Sequence, residues 1–350
     1  MMKSMAAVGL LAALGLLGGC SSTTVVLGPD GTGAAGQGGG AEGGAGLGSG
    51  GTDPGTPPAC PAGQDLSSVA PAESAPSFIA LDATHVYWSS EAAIRRVPRE
   101  GGAIETLADA QPIPMGLAVD EGFVYWANHN DPSIRRVPKT GGQWSELAVD
   151  IEGGGAFSMV VLDESYVYAR GNCGEIVRIA KSGGPVEPVV SSEGCIGGIA
   201  IDEQWVYYAV DSHGGAIARV PKSGGVEQVL APAEVAAAGG YTGGAPGIAV
   251  DAERVVWMSS NTGRVLSVPK AGGDVKELAT GIHMGQDVVT DGEHVYWSEF
   301  NVVGVVGVEG GIAMALAQSP QLGPMGLVLG EHHMFFTNYI TTGPVMRVCR

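Results

Sequence analysis

The chain has 350 residues, of which 58 are Gly and 21 are Pro, and charged residues make up only 15% of it, against about 25% in an average soluble domain. Its 18 Lys and Arg are outnumbered by 36 Asp and Glu, which gives a net charge of −18. This balance excludes the basic surface of a nucleic-acid-binding protein, and the length allows one large or two medium domains.

The N-terminus has the pattern of an export signal. An apolar stretch from Met5 to Leu17 is shorter than the roughly 20 residues of a membrane-spanning helix and fits a secretory signal. Its ending, Leu17-Gly18-Gly19-Cys20, resembles the lipobox of bacterial lipoproteins. The resemblance implies removal of the signal peptide 1–19, acylation of Cys20 (for example with palmitate) and anchoring in the cell envelope. Ser21 implies the outer membrane in a Gram-negative source, with the periplasmic or surface side left open. The alternative is an ordinary signal with an incidental Cys.

Residues 20–59 are predicted to be a disordered, Gly-rich tether. Between Gly28 and Gly55, 14 of 28 residues are Gly and large apolar side chains are almost absent. Such a segment buries too little surface to offset the entropy lost on ordering. A flexible coil of about 40 residues spans about 35 Å, so the tether would hold a folded body clear of the lipid.

From residue 76 onward, one unit repeats seven times. Each copy carries an aromatic triplet of the type VYW, and successive triplets lie 38 to 49 residues apart. The triplets end at Trp88, Trp126, Ala169, Tyr208, Trp257, Trp297 and Phe336. A period near 41 residues indicates a repeat architecture.

Each of the first six repeats contains the signals of four strands. The first strand is an apolar run that ends in Asp, and after a short turn the triplet forms the second strand. The third is an alternating segment such as IRRVPK, and after a Gly-Gly turn a run such as ETLA forms the fourth. Four strands per repeat predict an all-β, seven-bladed β-propeller, with six blades as the less favoured alternative. We expect the triplet aromatics in the core between blades rather than in a ligand cage. The repeated Asp residues are expected to cap their turns rather than to form a cation-binding ring.

The seventh repeat stops after its third strand, at the C-terminus. Residues 63–70, GQDLSSVA, resemble the fourth-strand segment 141–148, so the N-terminal segment is predicted to complete the last blade within a single body, 60–350. This arrangement would place Cys60 beside Cys349, and a disulfide there would lock the ring. The remaining two cysteines, Cys173 and Cys195, lie in connections expected at one end of the propeller and form a second predicted pair.

The repeat resembles the YWTD and NHL propeller families. The resemblance rests on VYWSSEAAIRRVPREGG, VYWANHNDPSIRRVPKTGG and VYWSEF, each preceded by an Asp-ended strand. It implies a propeller that binds a receptor or partner. The chain departs from the YWTD pattern at Ser89-Ser90, Ala127-Asn128 and Ser298-Glu299, and YWTD propellers usually have six blades, which puts the family's role in doubt. Virginiamycin-lyase-type enzymes are also seven-bladed, but the sequence shows no catalytic spacing to match them.

The variable connections between the predicted strands point to a binding surface, because variable loops on a constant scaffold commonly carry function. Their polar candidates are His129, Asn130, Asp131, Arg170, Asp211, His213, Asn261, Glu299, Asn338 and Tyr339. No residue is assigned to catalysis or to a metal, because Asp211, Ser212 and His213 are adjacent and rarely point together productively. No cofactor is expected.

The sequence therefore favours a monomeric, non-enzymatic binding or scaffold module for a protein, peptide or glycan, without nucleic acid. Its membrane contact would be the Cys20 lipid. Two alternatives stay open: an enzyme of the lyase or hydrolase type with its site at the channel mouth, and a structural assembly factor of the envelope.

Overall fold

The computed structural model describes residues 66–148, 158–171, 174–192, 194–210, 215–232, 247–259 and 262–350. These residues form strands and their connections, without a helix. In this part of the chain, accordingly, no helix is long and apolar enough to span a membrane.

The strands follow one another at regular intervals. In chain order they are β1 (Ser67–Glu73), β2 (Ile79–Leu81), β3 (His85–Ser89), β4 (Ile94–Pro98), β5 (Glu105–Ala108), β6 (Pro114–Val119), β7 (Phe123–Asn128), β8 (Ser133–Pro138), β9 (Ser145–Ala148), β10 (Met159–Leu162), β11 (Tyr166–Arg170), β12 (Glu175–Ala180), β13 (Glu187–Ser191), β14 (Ile196–Ile201), β15 (Trp205–Val210), β16 (Ala216–Pro221), β17 (Gln228–Ala231), β18 (Ile248–Val250), β19 (Arg254–Ser259), β20 (Arg264–Pro269), β21 (Lys276–Thr280), β22 (Asp287–Thr290), β23 (His294–Glu299), β24 (Val302–Gly307), β25 (Met314–Gln318), β26 (Pro324–Leu329), β27 (His333–Asn338) and β28 (Gly343–Cys349).

The strands make seven four-stranded antiparallel sheets. Blades 1 to 6 take four consecutive strands each, from β2–β5 to β22–β25, and blade 7 takes β26–β28 with β1 as its outer strand. The first strands of neighbouring blades contact one another around the whole ring, and β26 of blade 7 contacts β2 of blade 1. The predicted seven-bladed propeller is therefore confirmed, and the six-bladed alternative is excluded.

The core lies between the blades. In blade 2, Tyr125 packs toward blade 3, whereas Val124 and Trp126 pack toward blade 1 against Tyr87. All four side chains are at most 1% exposed. Because a blade is covered on both faces, successive residues of its second strand are all buried, and each large side chain contributes roughly 2–3 kcal/mol. The expectation that the triplets form inter-blade core is confirmed.

The N-terminal strand closes the ring. Ser67 pairs with Arg347 and Glu73 with Gly343 in an antiparallel ladder. The outer strand of blade 7 thus begins at Ser67, further along the chain than the predicted segment 63–70, of which residues 63–65 lie outside the described residues. Val69 and Ala70 of this strand are buried against blade 1.

The connections gather at two ends of the propeller. We call the end where the first strand of each blade begins the loop face, and the opposite end the turn face. The described loop-face connections are 74–78, 90–93, 109–113, 129–132, 158, 171, 174, 192, 194–195, 215, 232, 247, 262–263, 281–286, 300–301, 319–323 and 339–342. The turn-face connections are 82–84, 99–104, 120–122, 139–144, 163–165, 181–186, 202–204, 222–227, 251–253, 270–275, 291–293, 308–313, 330–332 and 350.

The turn face is built from two kinds of tight turn. In the Gly-Gly turn of blade 2, Gly141 has φ +82° and Gly142 has φ +116°. Glycine takes this region without the penalty that a Cβ imposes, and the Gly141 N–H closes the turn on the Pro138 carbonyl at 2.9 Å.

Candidate functional site

The Asp residues of the turn face cap their turns, as predicted. In blade 2 the Asp120 Oδ1 accepts the backbone N–H of Gly122 at 2.9 Å and that of Phe123 at 2.8 Å. The same pair of bonds recurs in the other Asp-bearing blades, at Asp82, Asp163, Asp202, Asp251 and Asp291. Side-chain to backbone bonds of this type hold the first and second strands in register.

The second carboxylate oxygen of most of these Asp residues links two blades. The Asp202 Oδ2 accepts the Tyr207 hydroxyl at 2.8 Å within blade 4 and lies 2.7 Å from the Lys270 Nζ of blade 5. The equivalent ion pairs are Asp82–Lys139 at 2.6 Å, Asp120–Lys181 at 2.9 Å, Asp163–Lys222 at 2.9 Å and Asp291–Arg350. The cations that follow the third strands of the repeat therefore hold neighbouring blades together.

These contacts fix the charge state of the carboxylates. Burial alone would raise the pKa of Asp202, but the hydrogen bonds from Lys270, from two backbone N–H groups and from Tyr207 lower it to about 2. Burial and the bond to Asp120 together raise the pKa of Tyr125 to about 12. Near neutral pH the Asp202 carboxyl is therefore ionised and the Tyr125 hydroxyl is protonated.

Among the six blades that carry the Asp, one junction breaks this pattern. Between blades 5 and 6, Val308 stands where the other blades carry the cation, and Val256 stands where the other five of these six blades carry the Tyr. The buried Oδ2 of Asp251 consequently has no hydrogen-bond partner. An ion pair of reversed polarity, Arg254 of blade 5 with Glu309 of blade 6 at 3.0 Å, joins the two blades instead.

A cavity of about 940 Å³ opens on the turn face between blades 3 and 4. Its lining includes Tyr166, Arg178 and the Asp163–Lys222 pair. The Arg178 guanidinium lies 4.6 Å from the Tyr166 ring centroid and binds Glu187 and the Lys222 carbonyl. Its Asp163, Arg178 and Lys222 are already paired within the scaffold, and the cavity lies at the end of the propeller opposite the predicted binding residues.

The loop face carries the predicted binding residues, and some of them are exposed there. His129 and Asn130 are exposed, and their backbone N–H groups bond to the Ile113 and Pro112 carbonyls of the preceding connection. Tyr339 is 52% exposed. Asp131 is half-buried in an ion pair with Arg135, which also binds Glu146. His129, Asn130 and Tyr339 are therefore available to a partner, whereas Asp131 braces blade 2.

Three other predicted residues hold the scaffold. Arg170 donates to the Ser158 hydroxyl at 2.8 Å and, across the junction to blade 4, to the Ile196 carbonyl at 2.6 Å. Glu299 is 5% exposed; one carboxylate oxygen accepts the Trp297 indole N–H at 3.1 Å and the other the His283 backbone N–H at 2.7 Å.

Asn338 has the same kind of role in blade 7. It is 3% exposed, accepts the Gly323 N–H and donates to the Gln321 carbonyl at 3.2 Å. The side chains of Glu299 and Asn338 therefore hold the incoming connection of their own blade, and neither reaches the loop surface. Asp211, His213 and Asn261 lie outside the described residues.

The loop face also carries exposed apolar side chains that were not predicted from the sequence. They are Ile113 (44% exposed), Met284 (66%), Phe300 (62%) and Ile340 (41%), beside Tyr339. A signal for them exists in the repeat alignment, because His129, Phe300 and Tyr339 each stand three residues after the triplet of their blade. Four of these five side chains, all but Ile113, belong to the connections of the adjacent blades 6 and 7, and exposed apolar side chains in neighbouring loops mark interaction surfaces.

The mouth of the central channel is lined by polar groups that link first strands. The Ser298 hydroxyl accepts the Asp287 N–H at 3.0 Å and donates to the Met325 carbonyl of blade 7 at 2.9 Å. Asp287 accepts the Leu327 N–H across the same junction at 2.9 Å, and its burial raises the pKa of its carboxyl to about 6. No three His, Cys, Asp or Glu side chains of the described residues are arranged to hold a metal ion.

Comparison with known proteins identifies a fold rather than a family. No protein-family model matches the chain, and no curated protein matches it. Among solved structures, virginiamycin B lyase from Staphylococcus aureus is similar with a TM-score of 0.69 and 15% identity, over 81% of this chain and 99% of that one. The computationally designed Ika8 protein gives 0.59 and 15%, over 82% and 100%.

A structure of the nidogen/laminin complex also contains a similar chain. Its TM-score is 0.51 at 20% identity, over 64% of this chain and 89% of that one. At these identities the likeness establishes a β-propeller shared with an enzyme, a designed protein and a component of a protein complex, and it transfers no activity.

Proposed function

We propose that the protein is an envelope lipoprotein, anchored through Cys20, whose propeller binds a protein, peptide or glycan through its loop face without catalysing a reaction. The observation that carries this proposal is where the chain enters the body. β1 runs from Ser67, opposite Arg347 near the turn face, up to Glu73, opposite Gly343 at the loop face. A tether that precedes β1 therefore meets the propeller at the turn face, which leaves the loop face free.

The unequal use of side chains on the two faces supports the same assignment. Turn-face cations such as Lys139 and Lys222 are paired with an Asp of the neighbouring blade. Loop-face rings such as Phe300 and Tyr339 are more than half exposed, whereas the most exposed apolar side chains of the turn-face connections, Val226 and Ile312, are aliphatic. Cations engaged in internal pairs suit a scaffold, whereas exposed rings on rigid loops suit recognition.

The enzyme alternative finds less support among the described residues. A hydrolytic or lyase site needs an acid or base and a second polar group converging on one reacting atom. His129 lies on blade 2, Arg170 binds carbonyls of blade 4, and Glu299 is buried in blade 6. The titratable candidates are thus dispersed, and the cavity between blades 3 and 4 lies on the other face.

Export would also account for the cysteines, for which we propose the disulfides Cys60–Cys349 and Cys173–Cys195. Cys195 and Cys349 are each disulfide-bonded. They lie at opposite faces, since Cys195 precedes β14 whereas Cys349 pairs with His333 at the turn-face end of β27, so they do not bond each other. Cys60 and Cys173 lie outside the described residues. Peptide mapping without reductant should find these two pairs; Cys60 joined to Cys173 would contradict the assignment.

The anchor is tested by metabolic labelling with palmitate. The full chain should incorporate the label and fractionate with membranes, and Cys20→Ala should abolish both while leaving the body folded. Label that persists in the Cys20→Ala variant would remove the lipoprotein assignment. Protease treatment of intact cells then distinguishes a periplasmic from a surface location.

The binding face is tested by photo-crosslinking in cells. A photo-reactive amino acid at the exposed loop-face positions Asn130 and Thr341 is compared with one at the exposed turn-face positions Ser182 and Ser223. We expect discrete adducts from the loop-face pair only. Adducts from the turn-face pair alone, or from all four positions equally, would refute loop-face binding.

A further inference from the structure

The exposed rings of the loop face occupy one repeat position and are held there by the backbone. The Tyr339 N–H bonds to the Gly323 carbonyl at 2.7 Å, the His129 N–H to the Ile113 carbonyl at 3.0 Å and the Phe300 N–H to the His283 carbonyl at 3.3 Å. Each ring therefore projects from a loop that is tied to the preceding connection. Such fixed aromatic side chains lose little conformational entropy when a partner binds.

Two apolar side chains accompany these rings at a second shared position. Ile113 and Met284 each stand seven residues before the Asp of their blade, and both have positive φ, +58° and +54°. This region is costly for a residue with a Cβ and most of all for a β-branched one. Ala75 holds the same position in blade 1, also with positive φ (+41°), and is half-buried. Backbone strain that recurs at one position, with a large exposed apolar side chain in two of the three blades, is the kind of outlier that marks a functional surface.

The charges of the loop face are one-sided. The described loop-face connections contain three carboxylates, Glu91, Asp109 and Asp131, and neither Lys nor Arg. Asp131 is paired with Arg135 of strand β8, which leaves Glu91 and Asp109 as the carboxylates without a cation partner among the described ion pairs. The sequence between the described ranges contains no Lys or Arg either. Glu91 stands in blade 1 at the position that Tyr339 holds in blade 7 and His129 in blade 2, so a carboxylate lies between rings.

We propose that blades 6, 7, 1 and 2 of the loop face form one binding arc for a basic, partly apolar segment of another protein. These blades are consecutive in the ring, because β26 of blade 7 contacts β2 of blade 1. Phe300 and Tyr339 offer ring faces to Lys or Arg, and Ile113 and Met284 offer apolar contact. This inference rests on the proposed binding at the loop face. A basic partner is expected because it would complement the acidic loop face.

The test is a titration of the full mature chain with fluorescent peptides. A peptide of Lys, Leu and Ala is compared with its Glu-for-Lys counterpart, with a peptide lacking Leu and with a neutral oligosaccharide. We expect the Lys-Leu peptide to bind best and to weaken with salt. The double substitution Phe300→Ser/Tyr339→Ser should weaken it about tenfold without changing the charge.

The turn face offers a matched control. Val226 is 82% and Ile312 61% exposed, and both lie in turn-face connections, so Val226→Ser/Ile312→Ser removes exposed apolar side chains from the far end of the propeller. This control should change the dissociation constant by less than about twofold, far less than the tenfold change expected for the loop-face variant. An equal loss in both variants, equal binding of the Lys and Glu peptides, or preference for the oligosaccharide would overturn the arc. If the crosslinks from Asn130 and Thr341 persist in Phe300→Ser/Tyr339→Ser with unchanged yield, the arc fails while loop-face binding stands.

Discussion

A single carboxyl in the channel mouth shows how tightly the first strands meet. Asp287 occupies the repeat position that Gly247 and Gly326 hold in blades 5 and 7. A Cβ added at Gly247 would lie 2.4 Å from the Val288 nitrogen, so this position faces the neighbouring blade at close range. Asp287 is accommodated because its side chain accepts the Leu327 N–H, at the cost of placing an acid in a buried site.

Replacing this acid by its amide, Asp287→Asn, is expected to stabilise the folded chain by an amount that depends on pH. The pKa of Asp287 is about 6 in the folded chain and 3.8 without burial. Above pH 6 the folded state must hold the unfavourable charge, whereas below pH 3.8 the acid is neutral in both states. Asp287→Asn should therefore raise the thermal unfolding midpoint at pH 8 and change it little at pH 4. An equal gain at both values would mean that packing, rather than ionisation, is responsible.

The inter-blade pairs predict the opposite pH dependence. The pKa of Asp202 is lowered to about 2 by its hydrogen bonds despite burial, so its contribution is present above about pH 4 and fades as the pH falls toward 2. Lys270→Met removes the cation but leaves the Tyr207 bond in place. We expect a loss of about 1 kcal/mol at pH 7, measured by urea unfolding, that shrinks on acidification. A loss that stays constant down to pH 2 would exclude the ion pair as its source.

At the scale of the elements, the seven copies of the unit serve as controls for one another. Val308 replaces the cation that four other blades supply as Lys139, Lys181, Lys222 and Lys270. Because no cation stands at position 308, the Asp251 Oδ2 is buried without a hydrogen-bond partner. The junction between blades 5 and 6 is therefore the natural place to install a missing link.

Val308→Lys should stabilise the protein by about 1 kcal/mol, because it gives Asp251 a partner while its aliphatic stem covers the apolar surface that Val308 now covers. The gain is measured as a shift of the urea midpoint at constant slope. In an Asp251→Asn background the same substitution should bring no gain. Equal shifts in both backgrounds would show that the introduced ammonium group and the Asp251 carboxylate do not interact.

The features that could be predicted from the sequence are those that recur along the repeat. Features that recur along the repeat, such as the Asp turn caps of six blades and the buried triplets of all seven, follow from their spacing and from the two covered faces of a blade. Glu299 and Asn338 follow the triplet like exposed loop residues, yet both are buried. Their burial depends on the preceding connection folding back onto them, which is a contact between distant segments that local pattern does not encode.

The exposed surface was predictable only in part for a related reason. Polar residues in variable loops indicate a binding surface and predict His129 and Tyr339, whereas the apolar Phe300 and Met284 carry no such indication. An apolar residue in a loop is as consistent with burial as with exposure when the sequence alone is read. Only the backbone conformation, which turns Met284 outward at φ +54°, separates the two outcomes.

At the scale of the whole molecule, β1 alone joins the two ends of the chain. It pairs with β28, buries Val69 and Ala70 against blade 1, and supplies Glu73, which accepts the Trp88 indole N–H at 3.2 Å and pairs with Arg95 at 2.6 Å. Without it, β28 becomes an exposed edge that can pair with another chain, and the Trp88 and Arg95 donors lose their acceptor.

Removal of residues 1–74 should therefore destabilise the propeller by several kcal/mol, lower the urea midpoint and promote oligomers through the β28 edge. Removal of residues 1–59, which leaves β1 intact, is the matched control and should keep the midpoint of the full chain. Glu73→Ala in the full chain separates the two causes, because it keeps the strand and deletes only the acceptor. If the chain without residues 1–74 unfolds at the same urea concentration as the chain without residues 1–59, then contacts between blades, and not the closing strand, hold the ring together.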